Sequence, residues 1–134
     1  MDEAQLRQIP VFAKLSKKER KIVAQCADEV DIRPGTYLCR EGESAYEFFA
    51  IETGTARVVR GDQYLNDLGP GEFFGEMGLI SKSPRNASVI AETEMTAIVM
   101  TGQAFRHIDR EMPEVAKRIR SAIDERRHWL EPIG

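Results

Sequence analysis

The segment Gly69-Pro70-Gly71-Glu72-Phe73-Phe74-Gly75-Glu76-Met77-Gly78-Leu79-Ile80, continued by Ser81-Lys82-Ser83-Pro84-Arg85-Asn86-Ala87-Ser88-Val89, is the most informative stretch of the chain. A glycine-rich turn leads into an apolar half-turn, a loop with one arginine, and a strand-like run. Gly75 and Gly78 permit close backbone approach to a ligand. A short helix over Met77 to Ile80 would leave its first N–H groups free to meet an anion. Arg85 lies nine residues after Glu76, so a folded-back loop can bring both side chains to one pocket.

The residue types are complementary. Arginine presents a planar donor fork that suits phosphate. An ionised glutamate only accepts, so it seeks a hydroxyl donor beside that phosphate. A ligand with both a phosphate and a sugar hydroxyl answers the pair: a nucleotide or a sugar phosphate. A plain loop salt bridge between Glu76 and Arg85 is the competing reading of these two residues alone.

On either side of this segment, from Val30 to Met100, short apolar runs alternate with turn residues. The turns are Pro34-Gly35, Glu41-Gly42, Thr53-Gly54, Gly61-Asp62 and Gly69-Pro70-Gly71. The runs are Tyr37 to Cys39, Tyr46 to Ile51, Ala56 to Val59, Tyr64 to Leu68, Ala87 to Ala91 and Ala97 to Met100. This spacing predicts an antiparallel sandwich or barrel, since a βαβ fold needs helix-length connections.

The ends read as helical. Ser16 and Glu19 form an S-x-x-E capping box, and Ile22, Val23, Cys26 and Ala27 fall on one helical face. Lys17-Lys18 and Arg20-Lys21 read as a solvated face. Thr101 caps a short helix carrying Phe105 and Ile108. Pro113 opens a longer helix whose stripe is Val115, Ile119, Ala122, Ile123 and Leu130. That stripe suits either a second subunit or the chain's own barrel.

With 134 residues the chain reads as one domain that needs no staple. Its parts are 1–29 helical, 30–100 β and 101–134 helical. The net charge of −3 argues against a basic nucleic-acid surface, so any bound anion must be held locally. No apolar run spans a bilayer and the acidic N-terminus is no secretory signal, which points to the cytoplasm and no membrane. Cys26 and Cys39 are expected as buried, reduced thiols, too few for a cluster or a four-cysteine zinc site. No metal-ligand spacing and no nucleophile beside a base is evident, so no cofactor and no catalysis are expected.

The central string resembles the phosphate-binding cassette of cyclic nucleotide-binding domains, the sensor type of the catabolite activator protein and of protein kinase A regulatory subunits. The family pattern is F-G-E, a hydrophobic residue, a small one and Leu, then R-x-A-x-V. Here it stands as Phe74-Gly75-Glu76-Met77-Gly78-Leu79 and Arg85-Asn86-Ala87-Ser88-Val89, inside a cassette over 73–89. The segment Ile9-Pro10-Val11-Phe12 with Leu15-Ser16 looks like the family's first helix, and the likeness runs over nearly all of 9–130.

The resemblance implies a mainly β fold, a jelly roll with flanking helices, that binds a 3′,5′-cyclic nucleotide inside the roll. By position Glu76 accepts the ribose 2′-hydroxyl and Arg85 pairs with the cyclic phosphate. Gly75 and the backbone N–H groups of Met77, Gly78, Asn86 and Ala87 complete the cradle. Phe74 and Leu68 are wall residues or, more simply, core. A threonine after the arginine often favours guanine in the family. Here Asn86 follows it, which favours cyclic AMP over cyclic GMP. Trp129 is the aromatic candidate to cover the base; packing on the barrel or on a second subunit is its alternative. Occupancy would then pass through the C-terminal helix to a homodimer mate or an effector protein. The sequence closes at Gly134 with no room for a DNA-reading domain, so no direct DNA binding is expected. The Met1 start favours a stand-alone unit. Two other readings compete: a jelly-roll interaction module that has lost its ligand, and a haem or redox sensor, which lacks His or Cys in the cassette.

Overall fold

The computed structural model of the chain describes residues 1–43, 47–75 and 87–127, the last two as backbone. Three helices come first: α1 (Glu3–Arg7), α2 (Pro10–Ala13) and α3 (Lys17–Cys26). Strands β1 (Asp28–Ile32), β2 (Tyr37–Cys39), β3 (Glu47–Thr53), β4 (Ala56–Arg60), β5 (Gln63–Leu68), β6 (Phe73–Phe74), β7 (Ser88–Ala91) and β8 (Met95–Thr101) follow. Helices α4 (Gly102–Glu111) and α5 (Pro113–Arg127) close the described chain.

The strands form two antiparallel sheets. Sheet one has the order β1-β8-β3-β6 and sheet two the order β2-β7-β4-β5. Side chains alternate across a strand, and here the alternation feeds two cores. Phe49, Ile51, Phe74, Ala97 and Val99 point between the sheets, where they meet Val58, Leu68 and Val89 of sheet two. Phe48, Ala50, Phe73, Ile98 and Met100 point the other way and are covered by helices. The expected mainly antiparallel jelly roll with flanking helices is thus present.

Gly54 shows how tightly the roll closes. A Cβ there would stand 2.2 Å from the Glu94 carbonyl oxygen, and the residue has φ +87°. Glycine alone fits where one chain passes so close to another.

The helices are built from local signals. Ser16 Oγ accepts from the Glu19 N–H at 3.1 Å, and the Glu19 carboxylate accepts from the Ser16 N–H at 2.8 Å. Thr101 Oγ1 accepts from the Ala104 N–H at 3.0 Å. Asp2 and Gln5 form a second capping box that starts α1, a helix the sequence reading did not include.

Several expectations need correction. The helical part ends at Cys26 and strand begins at Asp28, so the boundary lies before 29, and β8 runs to Thr101. The run Asp28-Glu29-Val30-Asp31-Ile32 hid a strand because only its inward positions are apolar. The buried side of α3 is Arg20, Val23 and Ala24, with Ala27 just beyond, whereas Ile22 and Cys26 are half-buried. Arg20 is not solvated: it donates to the Glu3 carboxylate at 2.9 Å and to the Leu15 carbonyl. Its guanidinium holds the Glu3 carboxyl below the ordinary carboxylate range, against the burial that would raise it. Cys26 and Cys39 are free thiols, but each is half-buried and they sit against different cores.

Candidate functional site

The two ends of the cassette are held by different sheets. At its start, Gly69 to Glu72 form a turn in which the Glu72 N–H donates to the Gly69 carbonyl at 3.1 Å. Pro70 and Gly71 occupy its two central positions, and Gly71 has φ +87°, the arrangement a type II turn requires. The Glu72 carboxylate braces the turn by accepting from the Gly69 N–H at 2.8 Å. The turn is docked on β3: the Gly71 N–H donates to the Ile51 carbonyl and the Ile51 N–H to the Glu72 carbonyl, both at 2.9 Å. Nothing in the sequence reading had singled out Glu72.

From this turn the chain enters β6, which pairs with β3 through Phe73 and Phe74. Phe74 stacks on Phe49 inside the roll, centroids 4.8 Å apart and planes within 9°. Phe73 packs on Phe48 in the helical layer at 5.5 Å. Gly75 follows with φ +82° and is buried.

At the other end, Ala87 is buried and leads into β7, the strand between β2 and β4 in sheet two. The Ala87 carbonyl lies 3.7 Å from Cys39 Sγ, a thiol donor on β2. Ser88 Oγ accepts from the Glu41 N–H at 2.9 Å, and the Glu41 carboxylate accepts from the Gly61 N–H at 2.8 Å. These contacts tie the return of the cassette to two neighbouring turns. Cys39 and Ser88 bear on the cassette through the backbone, so no residue-type signal could have pointed to them.

Of the residues expected in the cradle, Gly75 and Ala87 are described, and both border the interior of the roll. Glu76, Met77, Gly78, Arg85, Asn86 and Trp129 lie outside the described residues. Leu68 and Phe74 are each 1% exposed and belong to the core between the sheets, which bears out the simpler reading of both.

The electrostatics of the interior are plain. Every buried side chain of the core between the sheets is apolar. The buried charged residues among those described are Glu3 and Arg20, and both lie in the helical layer. A charge brought into the roll would meet a medium that strengthens a correct ion pair and penalises an unpaired one. Among the described residues no group of three His, Cys, Asp or Glu is placed to hold a metal.

The stripe of α5 is placed as well. Val115, Ala116, Ile119, Ala122 and Ile123 are buried against the chain's own helices and sheet one, not between subunits. Leu130, the last expected member, lies outside the described residues. Arg118 pairs with Glu19 at 3.0 Å and Lys14 with Glu125 at 2.5 Å, so α5 is also tied to the N-terminal helices by charge.

This geometry meets its family in a direct match. The family model described as the cyclic nucleotide-binding domain matches residues 29–111. The chain belongs to that family. Among solved structures, a cyclic nucleotide-binding-like protein from Brucella abortus is 31% identical with a TM-score of 0.70, over 82% of this chain and 98% of that one. A cyclic nucleotide-gated potassium channel of Rhizobium etli is 34% identical over 89% of this chain and 33% of its own length. A cAMP-dependent protein kinase regulatory subunit of Hypocrea atroviridis is 29% identical over 81% of this chain and 23% of its own length. A cyclic nucleotide-binding domain of this size thus spans a third or less of those two full-length relatives. Among the described residues, no helix is long and apolar enough to cross a membrane.

Proposed function

We propose that the chain is a single sensor domain over 1–134 that binds a 3′,5′-cyclic nucleotide in the roll, cyclic AMP in preference to cyclic GMP. The observation that carries this reading is the crossover itself. It leaves sheet one at buried Gly75 and returns to sheet two at buried Ala87, beside an interior with no charge among its described buried side chains. The residues between supply one arginine and one glutamate. In this reading Arg85 pairs with the cyclic phosphate and Glu76 accepts the ribose 2′-hydroxyl. Backbone N–H groups of Met77, Gly78, Asn86 and Ala87 complete the cradle, and Trp129 covers the base. The domain acts by binding and not by catalysis.

Cyclic AMP is favoured because Asn86 follows the arginine and because the kinase relative is cAMP-dependent by name. Occupancy is relayed by α5 to an effector protein or a dimer mate. Since the described apolar stripe of α5 is buried within the chain, the relay surface is its polar face, which carries Lys117 and Asp124, or lies beyond Arg127. Ligand shifts the balance of states only by its differential affinity for them.

The test is calorimetric titration with cyclic AMP, with cyclic GMP as competitor. Arg85→Ala leaves a phosphate charge unpaired in a partly dry site, a loss of roughly 2–5 kcal/mol. Affinity then falls by about 30-fold or more. Glu76→Ala weakens binding and narrows the preference for ribose over 2′-deoxyribose ligands. Unchanged affinity in Arg85→Ala overturns the site.

A further inference from the structure

The seam between the N-terminal helices and sheet one holds a cavity of about 360 Å³, lined by Gln5 and Gln8 of α1, Pro10 of α2, Glu52 of β3, and Pro70 and Gly71 of the turn. Glu52 Oε1 is buried there and has no hydrogen-bond partner among the described residues. β1 and β3 flank β8, and both Val30 and Ile51 stand opposite Ala97. Val30, Ile32 and Ile51 serve the interior of the roll. By alternation Glu29, Asp31 and Glu52 therefore face the helices. From α1, Gln5 Nε2 donates to Glu29 Oε2 at 2.7 Å.

The geometry points to a proton-operated latch: the carboxyls of Glu29 and Glu52 share one proton and, through Gln5, tie α1 to sheet one. Two ionised carboxylates only accept and cannot bond to each other, whereas a protonated one donates. A single proton therefore satisfies the orphaned oxygen and removes the like-charge contact. No cation lines the cavity to do this instead. Arg7 and Arg20, the cations of α1 and α3 nearest in sequence to the seam, both pair with Glu3. The groups acting on Glu52 are all acids: burial first, then the Glu29 carboxyl and its charge, then Asp31, push Glu52 from 4.5 up to about 7.

The direction follows from proton linkage. The latched state keeps the proton up to about pH 7, while a released carboxyl loses it near 4.5. The latched state therefore binds more protons than the released one across that window. It weakens as pH rises through it and is flat again only well above 7. The position of the latch gives it reach. Glu52 is the neighbour of Ile51, whose backbone docks the turn that leads to Gly75.

Hydrogen exchange of the α1 and α2 amides, corrected for the intrinsic rate, reads the latch directly. From about pH 6 to about pH 8 the ratio of latched to released chain falls by about tenfold, and in Glu52→Gln this dependence is absent. Carbon-13 titration of the carboxyls is the second measurement and needs no variant. Glu52 titrates near 7 in the unaltered chain, and in Glu29→Gln, whose amide donates to it, near the ordinary range. An ordinary Glu52 titration in the unaltered chain overturns the latch, and so does equal pH dependence of exchange in Glu52→Gln.

Discussion

The two sheets of the roll are built from similar numbers of strands and yet are stabilised differently. Sheet one is buried on both faces: Phe49 and Ile51 enter one core while Phe48 and Ala50, their neighbours on β3, enter another. Sheet two is buried on one face only. On β4, Ala56 and Val58 point inward while Arg57 and Arg60 are exposed. The difference teaches that the helices are part of the fold rather than attachments to it. Without them, the outward side of sheet one would present two phenylalanines and a methionine to water, Phe48, Phe73 and Met100. It also explains the composition of the strands. Strands buried on both faces read as continuous apolar runs, and half-solvated ones alternate.

Three substitutions test the comparison. Phe48→Ala removes a ring that is 1% exposed and touches both Phe12 and Phe73. Truncations of this kind cost about 3–5 kcal/mol, read as a lower urea midpoint. Ser16→Ala takes one half of the capping box from α3, the helix that covers sheet one, and should cost about 1 kcal/mol. Tyr64→Thr lies on the solvated side of sheet two, where Tyr64 is 54% exposed, and should change stability by less than about 0.5 kcal/mol. A Phe48→Ala protein no weaker than Tyr64→Thr would break the distinction between the sheets.

How far the molecule could be read from its sequence follows the same division. Half-buried strands such as β4 and β5 were legible because alternation and turn residues are local signals. β1 was not, because three of its five residues are acids and its apolar positions are only two. The burial of Arg20 was illegible for a different reason. It depends on Glu3, 17 residues earlier, arriving beside it, and no local pattern encodes that meeting. At the candidate site, the cassette was legible through its spaced residue types. The frame that holds its ends was not, because Glu72, Cys39 and Ser88 act there through backbone groups or on backbone groups.

The two residues of β6 carry a mechanical consequence. Phe73 and Phe74 point in opposite directions, one against Phe48 and the other against Phe49. Turning such a strand about its own length cannot disturb one ring alone. A rotation that lifts Phe74 from its stack drives Phe73 across the face of Phe48. The two rings work as the ends of a rocker whose pivot is the peptide between them, and the cassette is fastened to that pivot.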